Sequence, residues 1–237
     1  MVLFLCLTTP VFLHQIVAAQ EIGKGQLEKA VQRSKASSEI LTKVLSAPEK
    51  GIPIELIKSA KAVAVFPKVV KAKMLITQAT TGYGVITILV PDGWTNPAYY
   101  SFRSVGYEFN VAGGEAIDII LLFMNDKAIS PFRKGSFDLK GETGAVAGPI
   151  GKITPDQRKE IDRANVLGYL IRDGELVGTN VKSNFFKGFR LNVDDNLNKA
   201  IYGLKAAEIL SGKQTDKSTL PAGIGVFQQT LSQYSGQ

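Results

Sequence analysis

The chain has 237 residues, of which 45% are hydrophobic, and a formal net charge of +7 at pH 7. Its one cysteine and one histidine, Cys6 and His14, cannot make an internal disulfide or a zinc site built from several Cys and His ligands. A chain of this length can bury one substantial core and does not require a second domain.

The first 19 residues lack charged side chains and end in Val17-Ala18-Ala19, whose small residues are typical of a signal-peptidase site. We predict a signal peptide over 1–19, cleavage before Gln20, and an exported protein that is periplasmic or extracellular. An uncleaved membrane anchor is the alternative, because about 18 apolar residues approach the length of a bilayer span. Cleavage would remove both Cys6 and His14, so we expect no enzymatic activity and no cofactor.

Two helices are predicted before the first strand. Apolar residues recur at helical spacing over 23–46, and Pro48 and Gly51 then end the helix. A second, short helix is predicted from Pro53 to Lys58, because proline suits the first turn of a helix.

A mainly antiparallel sheet is predicted between residues 62 and 150. β-Branched and aromatic runs alternate there with turn residues such as Pro91-Asp92-Gly93 and Gly113-Gly114. The predicted strands are 62–66, 85–90, 99–111, 117–124 and 137–146. Asn125 is expected to cap a short helix after the fourth of these strands.

Helices and one hairpin are predicted after residue 150. Thr154 begins a capping box, and the Asp173-Gly174 turn joins strands 166–171 and 176–181. Further helices are expected from Asp194 or Asp195 to Gly203, over 205–210 and over 226–231. The chain is therefore predicted to be α+β: a mainly antiparallel or barrel-like sheet packed with N-terminal and C-terminal helices. The domain would span 20–212, followed over 213–237 by a polar linker and a short helix.

An apolar run meets closely spaced lysines near residue 66. Residues 62–66 are uniformly apolar, which favours a strand buried on both faces, and Pro67 is expected to block its regular continuation. Lys68, Lys71 and Lys73 follow, and Lys61 precedes the run. Lys71 and Lys73 would share one face of an extended chain, a geometry that suits a phosphate-rich partner.

Several separate segments, in order, resemble the SYLF family over roughly residues 24–212. These segments are 60–73, Thr81–Val85, Asn96–Ser101, Asp118–Asn125, Gly144–Gly151 and Asn198–Gly203. The resemblance implies a lipid-binding domain, which is also described as actin-binding in fungal members. Relatives are reported to use an amphipathic N-terminal helix on membranes, whereas most such helices in globular proteins pack on a core.

Lysine and tryptophan side chains are the candidate lipid-binding residues. Lys61, Lys68, Lys71 and Lys73 could contact phosphate head groups, although lysines also protect exposed strand edges from aggregation. Trp94 could anchor at a bilayer interface, whereas the alternative is a loop tucked onto the core. The segment Phe185–Arg190 could form a second contact, or a strand with phenylalanines inward and charges outward.

Other ligand classes find less support in the sequence. Residues 144–152 lack the phosphate-loop pattern, since Val146 and Ile153 stand where glycine and a hydroxyl residue are required. No aromatic-rich nucleic-acid motif is present. The sequence thus predicts a peripheral protein that binds an anionic phospholipid membrane surface. The alternative is a protein-interaction or envelope-scaffolding module with an acidic protein partner.

Overall fold

The computed structural model describes residues 11–73, 78–105, 116–134, 137–139, 145–177, 189–213 and 220–236. As predicted, the fold is α+β, with N- and C-terminal helices beside a curled, half-barrel sheet. The helices in these segments are α1 Val11–Leu45, α2 Ile54–Ser59, α3 Asp126–Ile129, α4 Pro155–Arg163, α5 Asp195–Tyr202, α6 Ala206–Leu210 and α7 Val226–Ser235. A 3-10 helix spans Ser130–Lys134.

The strands form one mixed sheet. They are β1 Ala62–Lys73, β2 Gln78–Val90, β3 Gly93–Trp94, β4 Ala98–Val105, β5 Ile117–Phe123, β6 Phe137–Leu139, β7 Ala145–Ala147, β8 Val166–Arg172, β9 Glu175–Leu176 and β10 Phe189–Val193. Their order is β6-β10-β4-β2-β1-β5-β8-β7, with β3 beside β2 and β9 beside β8. Among these described strands only the β7–β8 pairing is parallel.

Helix α1 lies on one face of the sheet, which we call the helix face. The Ser34 hydroxyl is 3.1 Å from the Tyr99 hydroxyl on β4, and Ser37 donates to the Val65 carbonyl on β1. Residues 62–66 of β1 are fully buried, because β1 lies between β2 and β5 and both of its faces are covered. The uniformly apolar run therefore predicted the strand correctly.

The opposite face carries a cluster of aromatic rings, and we call it the aromatic face. Phe102 stacks with Phe189 at 5.3 Å and lies 5.7 Å from Phe66, measured between ring centroids. Phe132 of the 3-10 helix makes edge contacts with Tyr100 and Phe123. Helix α6 also contacts β4 and the 3-10 helix, so the described part of the core extends through both sides of the sheet.

Local capping and turn signals are confirmed. Thr154 and Gln157 form the capping box at the start of α4, and Asn125 caps α3. Of the two candidate caps for α5, Asp194 is the one that accepts from the Leu197 N–H. Asp173 and Gly174 both have positive φ, at 52° and 79°, as a two-residue hairpin turn requires.

Several predicted element boundaries differ from the structure, including that of β2, which begins at Gln78 and not at residue 85. Helix α1 begins at Val11, well before the predicted start of that helix. Strand β1 continues past Pro67 to Lys73, because an extra residue forms a bulge where proline needs no ladder partner. The single strand expected over 137–146 is two strands, β6 and β7, which pair near opposite edges of the sheet. Gly141 and Gly144 lie between them in sequence and disfavour one continuous strand.

Several predictions fall outside the described residues. They concern residues 1–10, the Gly113-Gly114 turn, the continuations of strands over 106–111 and 178–181, and most of the polar linker at 214–219. The terminal helix after that linker is present as α7, which contacts α1, α2 and β3. Its Phe227 and Leu231 side chains are fully buried, so this helix is part of the core.

Candidate functional site

The bulge in β1 determines where Lys68 lies. The register of β1 shifts by one residue between Val65 and Val70 against β2, and between Phe66 and Val69 against β5. Lys68 sits in this interval with a φ of 50°, a left-handed value that is uncommon for a residue with a side chain. Its backbone N–H donates a 2.9 Å hydrogen bond to Oδ1 of Asp118 on β5. The bulge thereby holds the exposed Lys68 in the middle of β1, next to the point where the pairing with β5 ends.

The four predicted lysines do not form one cluster. Strand β1 carries Lys71 opposite Thr80 and Lys73 opposite Gln78, further along the strand than Lys68. Lys61 lies just before the start of the strand, where its N–H donates to the Phe123 carbonyl. Six residues separate Lys61 from Lys68, so the two lie roughly 20 Å apart at strand geometry. Salt screens charges over roughly 8 to 10 Å, so Lys61 acts separately from the other three.

Two arginines join the lysine end of the sheet. Arg103 of β4 lies opposite Thr81 of β2, which in turn lies opposite Val70 of β1. Arg190 of β10 lies directly opposite Arg103. Both arginines are exposed. We call the group Lys68, Lys71, Lys73, Arg103 and Arg190 the basic rim.

Sequence reasoning missed Arg103 and Arg190 because strand pairing brings them to this end of the sheet, in the register row of Val70 and not in that of Lys71. Arg103 is separated from Lys73 by a whole strand, and Arg190 comes from the far end of the domain. A partial signal exists in the alternation Tyr100-Ser101-Phe102-Arg103, where the aromatic residues are buried and Arg103 is exposed. That pattern predicts that Arg103 faces outward, but it does not predict that Arg190 lies beside it.

The arginine pair concentrates positive charge at the rim. Residues directly opposite in an antiparallel pair have Cα atoms about 5 Å apart. Asp118 binds the bulge, and Asp138 of β6 occupies the register position opposite Arg190. Arg190 takes part in a further interaction within the protein, so Arg103 is the stronger candidate of the two for an outside ligand. Arginine is well suited to bind phosphate because its planar guanidinium matches phosphate oxygens.

The Trp94 side chain is buried, so the structure does not support its prediction as an exposed lipid anchor. It is only 3% exposed, and its indole N–H donates a 2.9 Å hydrogen bond to the Ser235 hydroxyl of α7. Gln228 of α7 also donates to the Trp94 carbonyl. The alternative of a loop tucked onto the core is the one observed. The reason is that α7 supplies both an apolar surface and a partner for the indole.

The described part of Phe185–Arg190 follows the structural alternative. Phe189 is buried in the aromatic cluster, and Arg190 faces outward on the neighbouring position of β10. Residues 185–188 lie outside the described residues.

The glycines near residue 150 serve backbone packing. A Cβ atom on Gly148 would lie 2.0 Å from the Tyr169 ring, and one on Gly151 would lie 2.3 Å from the Glu49 carbonyl oxygen. These contacts agree with the prediction that the segment is not a phosphate loop.

Two of the segments that resemble SYLF proteins pack against each other. The Asn198 side chain accepts a 2.8 Å hydrogen bond from the Tyr99 N–H and donates a 3.0 Å bond to the Tyr99 carbonyl. Tyr202 donates its hydroxyl proton to the Pro97 carbonyl at 2.8 Å. Asn198 is fully buried. These segments therefore join α5 to β4 and help set the position of the strand that carries Arg103.

The N-terminal helix raises the question of a membrane span. Within the segments that the structure describes, no helix has both the length and the apolar character needed to cross a bilayer.

Comparison with known proteins identifies the family. No curated protein matches the chain significantly. The family model Ysc84, described as "Las17-binding protein actin regulator", matches residues 103–234. This range covers more than half of the chain, from Arg103 to Tyr234 near the end of α7. The protein belongs to the Ysc84 family, which is the SYLF family that its sequence resembles.

Proposed function

We propose that this protein binds the head groups of anionic phospholipids at the basic rim and catalyses no reaction. The observation that carries the proposal is the presence of two exposed cations, Arg103 and Lys68, in the part of the sheet where β1 also carries Lys71 and Lys73. A basic side chain near an anionic membrane surface contributes about 1 kcal/mol. Five such side chains would together give measurable binding to the membrane, and this binding would weaken as the salt concentration rises.

The proposal also covers the setting in which the protein acts. The apolar, uncharged residues 1–19 support an exported protein, and the net charge of +7 supports peripheral association with an anionic surface. In this role the folded domain positions the basic side chains, and their positive charge attracts the protein to the anionic surface.

Vesicle flotation tests the proposal directly. The purified protein would be mixed with vesicles of phosphatidylcholine alone or of phosphatidylcholine with phosphatidylserine, at low and at physiological ionic strength. We expect flotation with the anionic vesicles only, and less of it at the higher ionic strength, because salt screens the charges. Equal flotation with both compositions, or none with either, would contradict the proposal.

A pair of matched variants separates the rim from net charge. The rim variant replaces Lys68, Lys71 and Arg103 with glutamate, whereas the control replaces Lys58, Lys61 and Lys127, which are exposed at the other end of the sheet. Both variants change the net charge equally. We expect the rim variant to lose flotation and the control to keep most of it. Equal losses would show that binding depends on net charge and not on this site.

A protein partner is the second candidate function. The family description refers to Las17 binding and actin regulation, which concerns protein partners. An acidic protein surface could occupy the same rim, and this version predicts binding to a defined protein that does not depend on lipid composition. Failure to float with anionic vesicles, together with saturable binding to an acidic polypeptide such as polyglutamate, would favour it.

A further inference from the structure

Exposed apolar side chains lie next to the basic rim. In the described segments the large hydrophobic residues with high exposure are Ile54, Val70 and Tyr83, at 39%, 41% and 54%. Ile54 is on α2, near the Lys61 end of the sheet. Val70 and Tyr83 lie on neighbouring strands, β1 and β2, at the rim end. Two of the three are therefore close to each other and to the rim cations.

Strand register places this apolar pair and the arginines on one face. Val70, Thr81, Arg103 and Arg190 lie opposite one another in succession across four strands. Directly opposite residues share a face, and residues two apart on a strand also share a face. Tyr83, two residues from Thr81, consequently belongs to the same face. The row from Val70 to Arg190 spans three strand gaps, or about 14 Å.

The Tyr83 ring is held in place by α1. The Arg33 guanidinium lies 4.5 Å from the centroid of this ring, within the range of a cation–π contact. Arg33 also donates a 2.8 Å hydrogen bond to Asp194, and its side chain is only 17% exposed. A largely buried, salt-bridged arginine thus supports one part of the ring while more than half of the residue remains open to solvent.

The glycines on either side of Tyr83 explain how it can project outward. A Cβ on Gly82 would lie 2.6 Å from a methyl of Val69, and one on Gly84 would lie 2.7 Å from the Phe66 ring. Atoms of β1 therefore leave no room for a side chain at either glycine; at Gly84 the Val65 carbonyl oxygen is also in the way. The alternation Gly82-Tyr83-Gly84 therefore lets β1 pack tightly on one face and presents the tyrosine on the other.

We propose that Tyr83 and Val70 insert into the interfacial layer of an anionic bilayer while Arg103 binds lipid phosphate beside them. This inference rests on the proposed function and specifies how the site meets the membrane. Tyrosine suits the interface because its ring is apolar and its hydroxyl is polar. Of the neighbouring carboxylates, Asp194 is paired with the Arg33 guanidinium, and Asp118 accepts from the Lys68 backbone N–H.

A tryptophan reporter at position 83 tests the insertion. Tyr83→Trp adds an exposed indole, whereas the native Trp94 is buried and gives a constant background. The matched control is Ile54→Trp, which adds an indole at the other exposed apolar position, away from the rim. Both variants would be mixed with phosphatidylcholine–phosphatidylserine vesicles whose acyl chains carry bromine as a quencher. We expect a blue shift and quenching for Tyr83→Trp and neither for Ile54→Trp.

The outcomes distinguish this inference from the function on which it rests. If the wild type and Tyr83→Trp both float with anionic vesicles but the added indole is not quenched, the insertion is wrong and lipid binding stands. If the wild type does not float, both are wrong. Tyr83→Ser gives a second readout: with unchanged circular dichroism, we expect roughly fivefold weaker vesicle binding, which corresponds to about 1 kcal/mol. Unchanged affinity in that variant would also overturn the insertion.

Discussion

The Lys68 backbone N–H donates a 2.9 Å hydrogen bond to Oδ1 of Asp118, at the point where β1 contains its extra residue. This bond gives the bulge a partner that the regular ladder cannot supply. Because Lys68 has a φ of 50°, its side chain leaves the strand in a direction that regular alternation would not provide. The position thus combines backbone strain with a cation that we assign to the basic rim.

Lys68→Asn separates the charge of this residue from its backbone conformation. Asparagine tolerates the left-handed region better than lysine does, so we expect the free energy of unfolding to stay the same or rise slightly. Vesicle binding should weaken by roughly fivefold, because one basic contact contributes about 1 kcal/mol. Urea unfolding and flotation measure the two effects.

The control for this substitution is Lys61→Asn, at the exposed position before β1. It removes the same charge at the far end of the strand, and we expect little change in vesicle binding. Equal weakening by the two substitutions would mean that the overall charge, and not the rim, controls the association.

The sequence predicted those elements whose signals are local. The capping box at Thr154 and the Asp173-Gly174 turn each depend on residues within a few positions of one another, and both are present. Pro67 does interrupt the regular pairing, as predicted, but the bulge after which the strand resumes is bound by Asp118, fifty residues from Lys68 in sequence. Proline by itself indicates an interruption but not whether the strand resumes.

The candidate site could be predicted only in part for a similar reason. Lys68, Lys71 and Lys73 follow one another along β1, and their order in the sequence shows this directly. Arg103 and Arg190 join them through the pairing of β4 with β2 and β10, which no local pattern specifies. The burial of Trp94 likewise depends on α7, which follows it by more than a hundred residues.

Removal of α7 should unfold the domain. Ile224, Phe227 and Leu231 are fully buried, and burial of each such side chain contributes about 1.5–3 kcal/mol. Their sum approaches the entire stability of a typical domain, which is about 5–15 kcal/mol. A chain that ends at Gly212 is therefore expected to lack a cooperative thermal transition, whereas a chain that ends at Gly236 should unfold like the full protein. A cooperative transition in the shorter chain would show that α7 is dispensable.

Asn198→Asp should destabilise the junction between α5 and β4. The native side chain both accepts from and donates to the Tyr99 backbone, whereas a carboxylate keeps the acceptor, loses the donor and buries a charge. We expect a loss of about 2–4 kcal/mol in the free energy of unfolding, measured in urea.

Asn196→Asp is the matched control, since Asn196 is exposed on the same helix. An acidic residue in the first turn of a helix is favourable, so the stability should change by no more than about 0.5 kcal/mol. Similar losses for the two variants would contradict the role assigned to the Tyr99 contact.

Buried tyrosines should make the protein sensitive to alkali. Burial raises the pKa of Tyr99 to about 12, and burial also raises the pKa values of Tyr100 and Tyr169. A tyrosine in the unfolded chain releases its proton near pH 10, so above that pH the unfolded state binds fewer protons than the native state. The free energy of unfolding should be constant below about pH 10 and fall as the pH approaches 12. Tyr99 alone would contribute a loss on the order of 2–3 kcal/mol across that interval.

Tyr100→Phe tests the origin of this alkaline loss. The Tyr100 hydroxyl is buried and has no hydrogen-bond partner among the described residues, so its removal should leave stability at neutral pH unchanged or increased. The same change removes one ionisation that opposes folding, so urea midpoints should fall less steeply above pH 10. Tyr83→Phe, at a residue that is 54% exposed, should leave the slope unchanged. A slope that responds to Tyr83→Phe and not to Tyr100→Phe would show that buried phenols do not limit stability in alkali.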